Sequence, residues 1–267
     1  MPVPAGPKPP LIQYWHAERP PEDVARLLDS CARLNPEMRH LVFDQVRAEA
    51  FIAEHFSARE VAVFRACAVP AMQADYFRYC AVETLGGVYI DADFHCIAPL
   101  RSLLEGVEGG RLFARSKVPP GWPADLFGDR PRIGPYRIVA NSILLFPQPR
   151  HPLLRLAVEL TTANVEHRIA EDIAVTTGPG IFTSLYLVDR LGSLEAFRDY
   201  ARGGILAPSA DLFCEVVGSY ERVAAALAGV DVSPFPDSRS AVIADGRLAY
   251  KSTDVHWVNH RSTIFNT

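Results

Sequence analysis

Two aspartates, Asp91 and Asp93, follow an apolar stretch directly in the segment GGVYIDADF (86–94). In an extended segment alternate residues point the same way, so the two carboxylates can be aimed at one point. Neighbouring carboxylates raise each other's pKa, so the pair is costly unless a cation or hydrogen-bond donors neutralise it. The pattern indicates a divalent-cation site, a phosphotransfer site or a solvated turn, and the spacing alone does not choose among them.

The helix predicted before the two aspartates narrows these alternatives. The run PAMQADYFRYCAVETLGG (70–87) begins with proline and ends in two glycines, an asymmetry typical of a helix. Asp75 and Arg78 lie three residues apart on it and share a face. The helix leads through a two-glycine turn into a short strand at 88–90, so these two side chains and the aspartate pair belong to one unit. Their convergence on a common ligand is a hypothesis.

The elements around this unit have the rhythm of an α/β domain. LIQYWHA (11–17) and HLVFD (40–44) are strand-like and flank an amphipathic helix at 20–36. A strand, a helix and a strand in this length are typical of an α/β fold. In open α/β sheets ligands bind at the carboxyl ends of the strands, where the aspartate pair would lie.

The chain is interpreted as one domain over 11–267, preceded by a flexible Pro-rich arm at 1–10. A Pro/Gly-rich loop at 118–135 is expected to form part of a lid, and the tail is expected to alternate short strands with loops. The remaining predicted helices are 45–56, 58–68, 151–167, 179–191 and 193–202, and the remaining predicted strands are 111–115 and 139–146.

Composition excludes several classes of protein. The 267 residues carry a formal net charge of −4 and no Lys/Arg-rich run, which argues against nucleic-acid binding. No apolar run approaches the roughly 18 residues that span a bilayer, and the opening MPVPAGPKPP lacks the features of a secretory signal. We therefore expect a cytoplasmic protein, with peripheral association at the inner face of the membrane as an option.

The five cysteines are odd in number and form no CxxC pair. This argues against a disulfide framework and against a structural zinc site, and it predicts reduced, mostly buried thiols.

The stretch ADYFRYCAVETLGGVYIDAD (74–93) resembles the core of the glycosyltransferases with a DXD-containing sugar-binding region. That family includes fungal α-mannosyltransferases of the Och type, bacterial capsule and lipopolysaccharide sugar transferases, and glucosylating clostridial cytotoxins. Its pattern is roughly A-D-x-x-R-Y, a short helical stretch, then G-G-x-Y-x-D-x-D. The matching positions are Ala74, Asp75, Arg78, Tyr79, Gly86, Gly87, Tyr89, Asp91 and Asp93.

Other segments of the chain resemble the same family. LIQYW (11–15) resembles its opening I-H-Q-x-W, with Ile12 in place of the usual histidine. Two further departures are Glu83, where the family usually has tyrosine, and His260, near a common terminal tryptophan. The other similar segments are SCARLNPEMRHLVFD (30–44), NSILLFPQPRHPLL (141–154), TTGPGIFT (176–183) and DVHWVNH (254–260).

The resemblance implies a single-domain, Rossmann-like α/β fold of the GT-A type, with a mixed central sheet and extra helices. It implies a retaining hexosyltransferase that uses a UDP- or GDP-sugar and Mn²⁺ or Mg²⁺. The acceptor would be a glycan, a glycolipid or a protein, and surface polysaccharide synthesis is the expected setting. The oligomeric state is not predicted.

The resemblance also implies roles for individual residues. Asp93 would be a direct metal ligand, and Asp91 would contact the donor and, through water, the metal. Asp75 and Arg78 would hold hydroxyls of the donor sugar, and together with the two aspartates they are the expected catalytic group. His256 is the expected further metal ligand, with Asp254 as the alternative and His260 as a weaker one. The other candidates are Trp15, Gln13, Tyr89 and Asn141 for the donor, and Thr177 and Gly178 for an acceptor-side loop.

Two rival functions stay open. A phosphotransferase of the haloacid-dehalogenase kind also carries Asp-x-Asp after a strand, but its pair lies near the start of the core and is followed by Thr or Val. Here the pair lies 90 residues in and Phe94 follows it. A non-catalytic sugar-nucleotide-binding protein of the same fold is the other rival. Since no strand-end carboxylate is an evident nucleophile, front-side attack is favoured over double displacement.

Overall fold

A six-stranded mixed sheet, covered by helices, forms the centre of the computed structural model, which confirms the predicted α/β class. The structure describes residues 8–115, 138–170, 172–202, 204, 206–235, 243–245, 248–252 and 263–266. The predicted loop at 118–135 and the metal-ligand candidates Asp254, His256 and His260 lie outside these ranges.

The described strands are, in chain order, β1 (Pro10–Tyr14), β2 (Arg39–Phe43), β3 (Gly87–Ile90), β4 (Phe94–Cys96), β5 (Gly110–Arg115), β6 (Ile138–Phe146), β7 (Val230–Pro234) and β8 (Ile243–Asp245). The described helices are α1 (Glu22–Leu34), α2 (Gln45–His55), α3 (Ala58–Ala66), α4 (Pro70–Leu85), α5 (Arg101–Leu104), α6 (Pro152–Glu166), α7 (Ile173–Thr176), α8 (Gly180–Leu191), α9 (Leu194–Ala201), α10 (Ala207–Val217) and α11 (Tyr220–Leu227), with a short C-terminal 3-10 turn at Ala249–Ser252.

The sheet has the order β2-β1-β3-β6-β5-β7. Strands β2, β1 and β3 are parallel, β6 runs antiparallel between β3 and β5, and β7 is parallel to β5. Because Ile12 pairs with Tyr89, the carboxyl ends of β1 and β3 lie side by side. Ile90 pairs with Ile143, so the middle of β6 lies at the same edge of the sheet.

The predicted tail of strands and loops is wrong for residues 207–227, which form α10 and α11. The signal is present in the sequence, because the buried residues Ala210, Phe213, Cys214 and Val217 recur at the spacing of one helix face. Two residues that were assigned to the flexible arm have a defined place in the fold. Pro10 begins β1, and the Lys8 ammonium donates to the carbonyl of Pro36 at 2.7 Å.

The prediction of reduced thiols is wrong for Cys31 and Cys96, which form a disulfide between α1 and β4. Cys67, Cys80 and Cys214 are free and buried, as predicted. The odd count and the missing CxxC pair carry no information about two cysteines that are 65 positions apart and meet only in the folded chain.

Two glycines turn the chain from α4 into β3. Gly86 and Gly87 have φ values of 63° and 89°, in the left-handed region that residues with a Cβ disfavour. A Cβ on Gly87 would lie 2.4 Å from the carbonyl oxygen of Pro10, and one on Gly86 would lie 2.9 Å from the backbone of Gln148. The turn therefore requires glycine both for its conformation and for its close approach to β1.

We expect Gly87→Ala to lower the free energy of unfolding by more than about 2 kcal/mol, because left-handed backbone costs roughly 1–2 kcal/mol and the clash with Pro10 adds to it. Gly192→Ala is the matched control, since Gly192 has a φ of 77° and the space that its Cβ would take is open. Urea unfolding measures both. Equal losses in the two variants would show that close packing against β1 is not what selects glycine at this turn.

None of the described helices combines the length and the apolar composition that a bilayer-spanning segment requires.

Candidate functional site

The polar side chains of the predicted site meet at the edge of the sheet where β1 and β3 end. Asp91 follows β3 directly, and its backbone N–H donates to the carbonyl of Ser142 in β6 at 3.0 Å. Helix α4, which precedes β3, carries Asp75 and Arg78 on the side facing this edge, where Arg78 contacts Asp91. The glycine turn fixes the relation between helix and strand, so the two aspartate-bearing segments are positioned together.

Arg78 is the centre of the site and is only 4% exposed. Its Nη2 lies 3.1 Å from Oδ1 of Asp75 and 2.9 Å from Oδ1 of Asp91. Its Nη1 donates to the backbone carbonyl of Asn141 at 2.8 Å, and its Nε donates to that of Ala74 at 3.1 Å. A guanidinium with its donors spread over two elements and two carboxylates is held in one orientation.

Asp75 is buried and hydrogen-bonded through both oxygens. Oδ1 accepts from Nδ2 of Asn141 at 2.8 Å, and Oδ2 accepts from the hydroxyl of Thr177 at 3.0 Å. Burial raises the pKa of Asp75 above its ordinary value, although Arg78, Thr177 and Asn141 each act to lower it. The Tyr79 hydroxyl completes this layer by donating to the carbonyl of Thr177 at 2.8 Å.

Asp91 is more open, with its side chain 26% exposed. Its Oδ1 accepts from the hydroxyl of Tyr89 at 3.0 Å as well as from Arg78. Burial, together with the like charges of Asp93 and Asp75, raises the pKa of Asp91 to about 7 in spite of Arg78. The group therefore titrates in the physiological range, and a bound cation would favour its ionised form.

Asp93 has one satisfied and one orphaned oxygen. Its Oδ2 lies 2.8 Å from Nζ of Lys251 and accepts from the hydroxyl of Tyr250 at 3.2 Å. Its Oδ1 is buried, and none of the described residues forms a hydrogen bond with it. An unpaired buried carboxylate oxygen is costly, and a hard divalent cation such as Mn²⁺ or Mg²⁺ would satisfy it.

Asp93 is thus the described residue best suited to bind a divalent cation, and Asp91 lies beside it. Among the described residues no cluster of three or more His, Cys, Asp or Glu side chains could hold a metal ion. Further ligands would come from the donor, from water or from the predicted candidates His256, Asp254 and His260, whose positions are outside the described ranges.

Trp15 and Gln13, both predicted to contact the donor, differ in their surroundings. Trp15 lies at the end of β1 with its ring edge-to-face against Tyr250 at 5.1 Å. Its Nε1 is buried, and no described residue accepts a hydrogen bond from it. Gln13 is fully buried and its Nε2 donates to the carbonyl of Asp91 at 3.4 Å. Its Oε1 lies 2.7 Å from Nε2 of His40. Through its Nε2 hydrogen bond, the buried Gln13 side chain holds the main chain of Asp91 in place.

The structure brings most of the predicted residues into one hydrogen-bonded network, composed of Asp75, Arg78, Tyr89, Asp91, Asn141 and Thr177. Thr177 and Gly178 contact the buried part of the site. The Thr177 hydroxyl donates a hydrogen bond to Asp75, and the carbonyl of Gly178 accepts one from the Tyr79 hydroxyl. Their acceptor role stays a prediction.

Sequence reasoning missed three contributors to the site: His40, Tyr250 and Lys251. His40 pairs with Leu11 in the register of β1 and β2, close to Gln13, so the neighbouring strand was the available signal. Tyr250 and Lys251 stand a few positions before the family-like tail segment at 254–260, but no spacing connects them with Asp93.

Comparison with known proteins confirms the family resemblance in the region of the site. Residues 21–108 match the family model described as "Glycosyltransferase sugar-binding region containing DXD motif". The mannosyl phosphorylinositol ceramide synthase SUR1 of Saccharomyces cerevisiae is 32% identical over 133 residues, covering 48% of this chain and 34% of that protein. The initiation-specific alpha-1,6-mannosyltransferase of Schizosaccharomyces pombe is 26% identical over 167 residues, covering 57% of this chain and 41% of that protein.

The chain thus spans about a third to two fifths of the length of these two relatives. Among solved structures, the PaToxG glycosyltransferase is similar with a TM-score of 0.48 and 13% identity, covering 81% of this chain and 86% of that one.

Proposed function

Because the chain carries the DXD-containing sugar-binding region of glycosyltransferases over residues 21–108, we propose that it transfers a hexose from a nucleotide-diphosphate sugar to an acceptor. The observation that carries this proposal is the convergence of Asp75, Arg78, Asp91 and Asp93 at one edge of the sheet. The acceptor is a glycan, a glycolipid or a protein, and the fold is of the GT-A type.

Each side chain has a place in this proposal. Asp93, through its orphaned Oδ1, and Asp91 beside it hold a Mn²⁺ or Mg²⁺ ion, and His256 is the proposed further ligand. When bound, the ion stabilises the negative charge that develops on the leaving diphosphate as a Lewis acid. Asp75 and Arg78 bind the donor sugar, and Arg78 also orients the two neighbouring carboxylates and favours their ionised forms.

Trp15 offers a ring for the nucleobase at the end of β1, and the buried Gln13 holds the main chain of Asp91 in place. Tyr89 and Asn141 orient Asp91 and Asp75 respectively. We propose a retaining reaction by front-side attack, with an oxygen of the leaving phosphate taking the proton of the acceptor hydroxyl. The described carboxylates near the site are already committed to Arg78 or Lys251, which supports this choice over a covalent double displacement.

The donor sugar is open to test. The two yeast relatives are named for mannosyl transfer, so GDP-mannose is the first donor to examine, followed by UDP-glucose, UDP-galactose and UDP-N-acetylhexosamines. We propose surface-glycan synthesis at a membrane surface. The Cys31–Cys96 disulfide weighs against a strongly reducing location, because disulfides rarely persist there.

Thermal unfolding tests the proposal against the non-catalytic alternative. A donor-binding enzyme is stabilised when Mn²⁺ and UDP or GDP are added together, because the ligands bind only the native state. Stabilisation by neither nucleotide at saturating Mn²⁺ would favour a degenerate member of the family that has lost donor binding.

The affinity for Mn²⁺ should depend on pH through Asp91. Its pKa of about 7 means that the carboxylate is ionised above that pH and protonated below it, so protons compete with the cation on the acid side. We expect the apparent dissociation constant for Mn²⁺ to be flat above about pH 7 and to rise by about tenfold per unit below it.

The measurement is a titration of free Mn²⁺ by electron paramagnetic resonance at several pH values. Asp91→Asn is the control, because the amide does not titrate and should remove the pH dependence in this range. A wild-type affinity that is constant from slightly acid to slightly alkaline pH would exclude Asp91 from the cation site.

A further inference from the structure

A cationic side chain already lies at the carboxylate assigned to the metal. Nζ of Lys251 is 2.8 Å from Oδ2 of Asp93, and both side chains are largely buried, with 28% and 18% of their surface exposed. The Tyr250 hydroxyl donates to the same oxygen at 3.2 Å. Oδ2 is therefore satisfied from the C-terminal turn, while Oδ1 has no partner within the described ranges.

The position of Lys251 is fixed by the turn that carries it. The backbone N–H of Ala249 donates to Oδ2 of Asp23 at 3.2 Å, which ties the turn to the start of α1. The ring of Tyr250 packs against Trp15, and Leu248 packs on the same apolar cluster. The ammonium is thus placed at Asp93 by an anchored segment, unlike a lysine on a free surface.

We propose that Lys251 is a tethered competitor of the divalent cation: in the donor-free protein its ammonium neutralises Asp93, and cation binding must displace it. The inference rests on the proposed function, because it concerns the cation of that same site. It adds a residue that sets the cation affinity and that belongs to neither the aspartate pair nor the predicted ligands.

The charges of the site explain why such a competitor matters. Three carboxylates, those of Asp75, Asp91 and Asp93, face the two cationic side chains Arg78 and Lys251. A divalent cation on Oδ1 of Asp93 would lie beside an ammonium that is bound to the other oxygen of the same carboxylate. Two cations bound to the two oxygens of one carboxylate repel each other strongly in a partly buried site. Each therefore excludes the other or weakens its binding.

Displacement also links the cation to the donor. The negative diphosphate of a nucleotide gives the released ammonium a new partner, so the cation should bind more tightly with the nucleotide than alone. In the absence of nucleotide the site favours Lys251. Removing the ammonium should therefore strengthen the binding of the cation alone and reduce the gain that the nucleotide provides.

The test is the binding of Mn²⁺ alone, measured by calorimetry or by resonance of free Mn²⁺ at a pH above the titration of Asp91. We expect Lys251→Met to lower the dissociation constant for Mn²⁺ by roughly five- to tenfold, the effect of removing one partly buried competing charge. Lys251→Arg keeps the charge and should stay close to the wild type. Lys8→Met removes an exposed lysine that donates to the carbonyl of Pro36, and it is the matched charge control.

Weaker or unchanged Mn²⁺ binding in Lys251→Met would overturn the proposal, and so would an equal gain in Lys251→Arg. The thermal unfolding of each variant identifies a loss of fold. If Lys251→Met does not fold, the Mn²⁺ affinity of Lys251→Arg, expected to equal that of the wild type, is compared with that of Lys8→Met. If neither the wild type nor Lys251→Met binds Mn²⁺, the competitor role is wrong. The transferase function is judged separately, from the consumption of nucleotide sugar by the wild type.

Discussion

Asp93→Asn is expected to lose sugar transfer by at least about a thousandfold while the protein stays folded. The Oδ1 atom that lacks a partner in the structure is the proposed direct ligand of the cation, and an amide is a far weaker ligand than a carboxylate. Because the cation stabilises charge that develops only on the departing diphosphate, its loss should lower kcat together with kcat/KM.

The stability of this variant should change little, because loss of the Lys251 contact is offset by relief of the repulsion between Asp93 and Asp91. Far-UV circular dichroism and thermal unfolding check the fold, and the stabilisation by Mn²⁺ with nucleotide should disappear. Asp231→Asn, which removes an exposed carboxylate paired with Arg111, is the control and should keep full activity. An active, metal-independent Asp93→Asn enzyme would contradict the assignment.

Arg78→Met is expected to remove transfer and to destabilise the fold by about 3–5 kcal/mol. Breaking a buried ion pair from one side leaves uncompensated charge, and here two carboxylates, Asp75 and Asp91, lose their shared partner. Arg78→Lys should rescue little, because an ammonium cannot reach the two carboxylates and the carbonyl of Asn141 together.

Urea unfolding of a double-mutant cycle gives the origin of this loss. In the Asp75→Asn background one of the stranded charges is absent, so Arg78→Met should cost clearly less than in the wild type. Arg26→Met is the control for the substitution itself, because Arg26 forms an exposed helical ion pair with Glu22 that should contribute little. Identical losses for Arg78→Met in both backgrounds would mean that Asp75 does not depend on Arg78.

Much of the site was predictable because its residues are close in the chain. Helix α4, the glycine turn and the aspartate pair fall within 70–93, so local spacing predicts that Asp75, Arg78 and Asp91 form one unit. Asp75 and Arg78, which were predicted to share a helix face, form an ion pair, but the setting of that pair was not predictable. It is buried because Asn141 and Thr177, 66 and 102 positions from Asp75, close over it.

The features that escaped prediction depend on contacts that are distant in sequence. The Cys31–Cys96 disulfide and the return of Lys251 to Asp93, 158 positions away, leave no periodicity or motif along the chain. Helices α10 and α11 are a different case. The spacing of their apolar residues indicates two helices, although the prediction for this part of the chain was short strands and loops.

The most direct test of the central claim is the release of nucleoside diphosphate from a panel of UDP- and GDP-sugars by the purified protein with Mn²⁺. We predict that at least one donor, with GDP-mannose the first to examine, is consumed at a rate that falls to background with a chelator and in Asp93→Asn. Consumption of no donor, or consumption that neither the chelator nor Asp93→Asn reduces, would contradict a metal-dependent sugar transferase built on this aspartate pair.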